Sequence, residues 1–177
     1  KGDLEAFTGK MRELGAWACG RCDLLILTVH WGDNWVREVT PAQRKMAGIA
    51  FEHGVDLILG HSAHRLKGIE VIDGKVVLYD MGNLLFDCLL KEEGRRSAIF
   101  RLRLSRGGVH RVELLPIEAR EGQAVAAAPV EGRAIIEEMK LLCAPLGTTL
   151  KEERDASGVS MGVIEVPEAA ITPRPPV

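Results

Sequence analysis

Aromatic residues are scarce in this 177-residue chain: three Trp, four Phe and one Tyr, 5% in all. Nucleic-acid surfaces combine clustered Lys and Arg with aromatic platforms. With few rings, and 23 basic against 25 acidic residues for a net charge of −2, the sequence argues against nucleic acid as a partner. Cysteine is equally sparse. Cys19, Cys22, Cys88 and Cys143 are too few and too scattered to staple a domain of this size. Cys19-Gly20-Arg21-Cys22 has redox or zinc spacing, but a structural zinc site of that type needs a second pair, which Cys88 and Cys143 do not form. Ordinary loop or core thiols are expected there. No apolar run approaches the roughly 18–20 residues that span a bilayer, so no membrane span is expected. Nor is there a basic leader followed by a short apolar run and a small-residue cleavage site, although the chain opens with Lys1 rather than Met.

What is present is enough for one core: 46% of residues are hydrophobic. Leu4, Phe7, Met11 and Leu14 recur at helical spacing over 3–18. The nearly unbroken apolar run 23–29 reads as a strand buried on both faces, as in a parallel sheet. It ends in the polar, aromatic loop His30-Trp31-Gly32-Asp33-Asn34-Trp35. Thr40-Pro41 opens a helix with an N-cap residue and Pro at the first turn, and Gly54 closes it. Val55–Leu59 is a second short strand, ending in Gly60-His61-Ser62-Ala63-His64. Strand, helix, strand over this distance is a βαβ unit with parallel strands.

The pattern then changes to hairpins. Gly68–Ile72 and Lys75–Tyr79 flank Asp73-Gly74, a two-residue turn signal. A second hairpin is expected from Ser97–Leu104 and Val109–Ile117, with Phe100, Leu102 and Leu104 alternating against Arg101 and Arg103. Ala124–Pro129 reads as a linker, and Glu131–Cys143 as an amphipathic helix. The stretch 172–176, with three prolines, is expected to trail.

Three of the five histidines fall in the loops of the βαβ unit. The carboxyl edge of adjacent parallel strands is where α/β sheets bind ligands, and neutral imidazole is a preferred transition-metal ligand. One such histidine is ordinarily a cap or a surface residue; three on one edge make His30, His61 and His64 candidate metal ligands. Gly32 and Gly60 are expected to let the backbone turn sharply there. His53 and His110 read as structural, and Trp31 and Trp35 as packing or as an apolar wall.

Four ordered motifs carry a resemblance. His30-Trp31-Gly32-Asp33-Asn34-Trp35, Gly60-His61-Ser62-Ala63-His64, Gly68-Ile69-Glu70 with Asp73-Gly74-Lys75, and Leu78-Tyr79-Asp80-Met81-Gly82-Asn83 are similar to the CapA-type poly-γ-glutamate capsule-biosynthesis family, itself similar to calcineurin-like metallophosphatases. The resemblance runs in register over 23–87 and more weakly to about Leu146. It implies a mixed α/β fold, the C-terminal portion of a calcineurin-like four-layer α/β/β/α sandwich, over residues 1–146, with 147–177 as an extended tail. It also implies a divalent transition metal (Mn, Zn or Fe), singly or as a dinuclear pair. His30, His61 and His64 are the ligands by motif. His64 is set one residue further from His61 than in the family, which also opens a role on a substrate oxyanion. Asp33 and Asn34 are expected to orient water or substrate, and Asn83 reads as a turn residue. Nothing in 1–22 resembles the acidic and Asn-Asn-His motifs of the family's N-terminal half.

The function this implies is a metal-dependent hydrolase of phosphoester or amide bonds, acting through a metal-bound hydroxide on a small-molecule or polymer substrate. The bacterial cell envelope or cytoplasm is the compartment implied. Self-association, or a partner chain supplying the missing half, is expected. The rivals are a non-catalytic binding or assembly component of capsule-polymer synthesis or export, and a zinc-thiolate or redox module at Cys19 and Cys22.

Overall fold

The computed structural model describes residues 2–85, 92–120 and 122–167. Helix α1 (Gly2–Ala18) packs beside α2 (Pro41–Glu52). A full capping box starts α2: the Thr40 hydroxyl accepts from the Gln43 N–H at 3.1 Å, and the Thr40 N–H donates to Gln43 Oε1 at 3.1 Å. His53 is its C-cap residue. The two helices cover one face of a four-stranded sheet ordered β1-β2-β4-β3, made of Ile26–His30, Leu57–His61, Lys75–Leu78 and Ile69–Ile72. Strands β1, β2 and β4 are parallel, and β3 returns antiparallel through the Asp73-Gly74 turn.

Strand alternation sends side chains to two cores. Ile58, Val77 and Tyr79 join Met11, Ala47, Ala50 and Phe51 beneath the helices. Leu57, Val76 and Leu78 face the other way, toward a second, antiparallel sheet. That sheet runs β5-β6-β9-β8, from Arg96–Ser105, Gly108–Arg120, Ser160–Glu165 and Lys151–Arg154, with β7 (Gln123–Ala126) also on β6. A single helical turn, α3 (Glu92–Arg95), leads into β5. Helix α4 (Pro129–Cys143) inserts Ile135, Ile136, Met139 and Cys143 into this shared core beside Leu114 and Ile164. Burial pushes the Cys143 thiol up to about 11, so it packs as a neutral side chain. The outer face of the second sheet carries a charged lattice instead. Glu113 lies almost fully buried beneath Arg101, Arg103 and Arg111, and Arg111 also reaches Glu153 and Glu165.

The mixed α/β architecture is the one expected, and the βαβ unit and both hairpins are present. Three local expectations are corrected. The run 23–29 is not an interior strand: β1 pairs only with β2 among the described residues, and its side chains alternate exposed and half-buried. Its apolar composition supplies one packed face, not two. The linker at Ala124–Pro129 is instead strand β7 followed by the first turn of α4. The extended tail from 147 instead supplies β8 and β9, the latter paired between β6 and β8. Cys88, Asp87 and the trailing stretch 172–176 lie outside the described residues. No described helix is long and apolar enough to cross a membrane.

Candidate functional site

Parallel pairing places His30 directly across from His61 at the carboxyl ends of β1 and β2. Their rings stand edge to face with centroids 5.2 Å apart. Two backbone bonds hold this edge: the Trp31 N–H donates to the His61 carbonyl at 3.0 Å, and the Met81 N–H to the Gly60 carbonyl at 3.2 Å. Trp31 is buried, stacks on Tyr79, and donates its indole N–H to the Tyr79 carbonyl at 2.9 Å. It is a floor under the loop. Gly60 is required for close approach: a Cβ there would collide with the Tyr79 carbonyl and lie 2.6 Å from Trp31 Nε1. Gly32 is the residue that turns, with φ +83 and Gln43 packed where a side chain would be.

The loop after β2 is held from below by Asp80. Its carboxylate is buried and accepts from the Ala63 N–H at 2.7 Å and the Gly82 N–H at 2.9 Å. Burial raises the Asp80 pKa, while these two bonds, Lys67 and His61 pull it back. Lys67 is fully buried as well. Its ammonium donates to the Glu38 carbonyl at 3.2 Å, and burial lowers its pKa against the pull of Asp80, Asp33 and Glu38. Glu70, nearby in sequence, points elsewhere: it receives both Arg44 and the Tyr79 hydroxyl, the latter at 2.7 Å.

The structure brings His30 and His61 together and engages His64 with Asn83 and Trp35. The His64 ring meets Asn83 Oδ1 at 3.0 Å and tilts against Trp35 with centroids 5.6 Å apart. Among the described residues, no three His, Cys, Asp or Glu side chains converge to hold a metal ion. The His30–His61 pair therefore fits a divalent transition metal in donor type but not in donor number. Asp33 and Asn34 are exposed on the loop after β1. Asn83 is not a turn residue: Gly82 takes the positive φ of 72, and Asn83 is buried. The Cys22 thiol bonds the Ala18 carbonyl at 3.6 Å beyond α1, away from the histidine edge. A groove of about 780 Å³ opens between α2, β3 and the end of α4, lined by Arg37, Arg44, Glu70 and Leu142 among others, and none of the predicted site residues lines it.

Backbone strain marks the same edge. Among the described residues, four non-glycine residues have positive φ: Asp73, in its hairpin turn, and Trp35 at 67°, Ser62 at 134° and His64 at 56°, the last three in the two histidine loops. Such strain persists only where the surroundings over-determine it, and it gathers at functional sites.

Residues 4–88, which contain all of these loops, match the family described as bacterial capsule synthesis protein PGA_cap. Over that stretch, just under half of its length, the chain is similar to this CapA-type family. It is 34% identical over 109 residues to the PGA biosynthesis protein CapA of Bacillus subtilis, covering 62% of this chain and 28% of that protein. To the capsule biosynthesis protein CapA of Bacillus anthracis it is 28% identical over 103 residues, covering 58% of this chain and 25% of that protein. The matched stretch is thus about a quarter of the length of either relative.

Proposed function

We propose that this chain acts in poly-γ-glutamate capsule synthesis as part of a metal-dependent hydrolase of phosphoester or amide bonds. The His30–His61 edge would be the seat of a divalent transition metal. The observation that carries this reading is the 5.2 Å approach of the two rings at the carboxyl ends of parallel strands, within the family-matched stretch. A bound metal would supply an acidified water and polarise the scissile oxygen. Two imidazoles leave its remaining positions to solvent or to groups beyond those described. The edge of β1, which pairs only with β2 among the described residues, supports association with a second copy or with a separate polypeptide.

Metal content and affinity, measured on the wild type and on His61→Ala with light scattering alongside, test the reading. Loss of one of two imidazoles should weaken zinc or manganese binding by at least about tenfold. Hydrolysis of a phosphodiester or activated ester should disappear with chelator and return with either metal. Equal affinity in the variant removes the site. The second reading, a non-catalytic binding or assembly component, is favoured by the lack of a third converging donor among the described residues. It predicts weak metal binding without turnover.

A further inference from the structure

We propose that Asn83 fixes His64 in its Nδ1–H tautomer, so that the ring presents Nε2 as a lone pair. Such a ring can bind a cation or accept a proton, but it cannot donate a hydrogen bond to an oxyanion while neutral.

Asn83 is buried, with a relative exposure of 6%, and its Nδ2 donates to two carbonyls, those of His64 and Gly94, each at 3.1 Å. Carbonyl oxygens only accept. Turning the amide over would set Oδ1 against both of them, so the network fixes which end is oxygen. Oδ1 is thereby left facing His64 Nδ1 at 3.0 Å. Two lone pairs cannot share that contact, so Nδ1 must carry the proton. A neutral imidazole has one N–H, and Nε2 is therefore the acceptor.

The rest of the loop holds the ring in this pose. Trp35 leans on it, and the Trp35 N–H donates to the Ala63 carbonyl at 2.8 Å, tying one histidine loop to the other. The left-handed backbone of His64 aims its carbonyl back at Asn83, so a single amide grips both the backbone and the ring of one residue. Asn83 is a positioning residue in this account. The tautomer rests on this geometry alone, while its use as a seat for metal or proton rests on the function proposed above.

Nitrogen-15 imidazole spectra of metal-free protein, recorded across a pH series, read the tautomer of the neutral ring directly, with His64→Gln assigning the signals. The expected result is a protonated Nδ1 and a pyridine-like Nε2 for His64. A protonated Nε2, or two averaged nitrogens, overturns the proposal. Asn83→Ala should give averaged nitrogens, and retention of the Nδ1–H pattern there also overturns it. If that variant does not fold, the wild-type spectrum still decides. Zinc titration of the same sample tests the metal reading separately.

Discussion

Replacing Asp80 with Asn is the sharpest probe of how the histidine edge is held, because the change keeps size and shape. The carboxylate accepts from two backbone amides, Ala63 and Gly82, and hydrogen bonds to a charged group contribute about 1.5–3 kcal/mol each. The carboxamide can satisfy only one of these donors. Its NH2 then faces the other N–H, and a buried donor left unmade costs about 1–3 kcal/mol. Buried Lys67 would also lose the charge that favours its protonated form. Against this stands the relief of no longer burying a charge, the effect that raises the Asp80 pKa. The unmade donor and the lost charged bond outweigh that relief, leaving about 2–4 kcal/mol of destabilisation. For a chain of this size each kcal/mol moves Tm by about 2–4 °C, so calorimetry should show a fall of at least about 4 °C, and urea unfolding a lower midpoint at unchanged slope. Amide spectra should shift first at Ser62–His64 and Gly82–Asn83. A variant within about 0.5 kcal/mol of wild type would show that the two amide bonds are not what holds this loop, and the reasoning would fail.

Two further tests address the remaining layers. The Glu113 pKa is lowered, chiefly by its bond to Arg101, so the stability it contributes is present above its ordinary value of about 4.5 and is lost as pH falls through the lower folded value; Glu113→Gln should flatten the acid limb of a stability–pH curve, and an unchanged limb would count against the lattice. Trp31→Phe keeps the stack on Tyr79 but removes the 2.9 Å bond to its carbonyl, so urea unfolding should report a loss of about 1–3 kcal/mol, and no measurable loss would show that this carbonyl finds another donor.

The parts of the fold that were legible in the sequence are those where one local signal suffices. Thr40 and Pro41 announce the start of α2 because a cap is made locally, and the structure adds Gln43 to it. Asp73-Gly74 announces its hairpin because the turn demands positive φ at both positions, and both have it. Strand β8 was invisible for the opposite reason. Lys151-Glu152-Glu153-Arg154 has no apolar alternation at all; it is a strand because β9 supplies its partners. β9 itself carries Met161, Val163 and Ile164, an apolar signal too short to show which strands it joins. The strand character of β1 is legible but its place in the sheet is not, since an apolar run does not report how many neighbours it has. At the site, the meeting of His30 and His61 followed from topology, because parallel register sets residues at the ends of adjacent strands side by side. The His64–Asn83 bond depends on side-chain rotamers across 19 positions. No spacing rule reaches that.

The carboxylates within the described residues also explain why the histidine pair stands without acidic company. A transition-metal site built on imidazole can gain charge balance from Asp or Glu, and Asp33, Glu70, Asp73, Asp80 and Asp87 lie in or near the quoted motifs; Asp73 sits in its hairpin turn. Glu70 is committed to Arg44 and the Tyr79 hydroxyl, on the side of the groove; freeing it would strand a buried phenol and a guanidinium. Asp80 spends both oxygens on backbone amides, and turning either toward a metal would release the loop that positions His61. Asp33 is exposed on a loop, where swinging inward would order a flexible side chain for a single bond. Asp87 lies outside the described residues. On the function proposed above, Asp33, three residues beyond His30 on the same loop, would join the His30–His61 pair at the cost of ordering one side chain, whereas Glu70 and Asp80 would have to leave the buried bonds they already make.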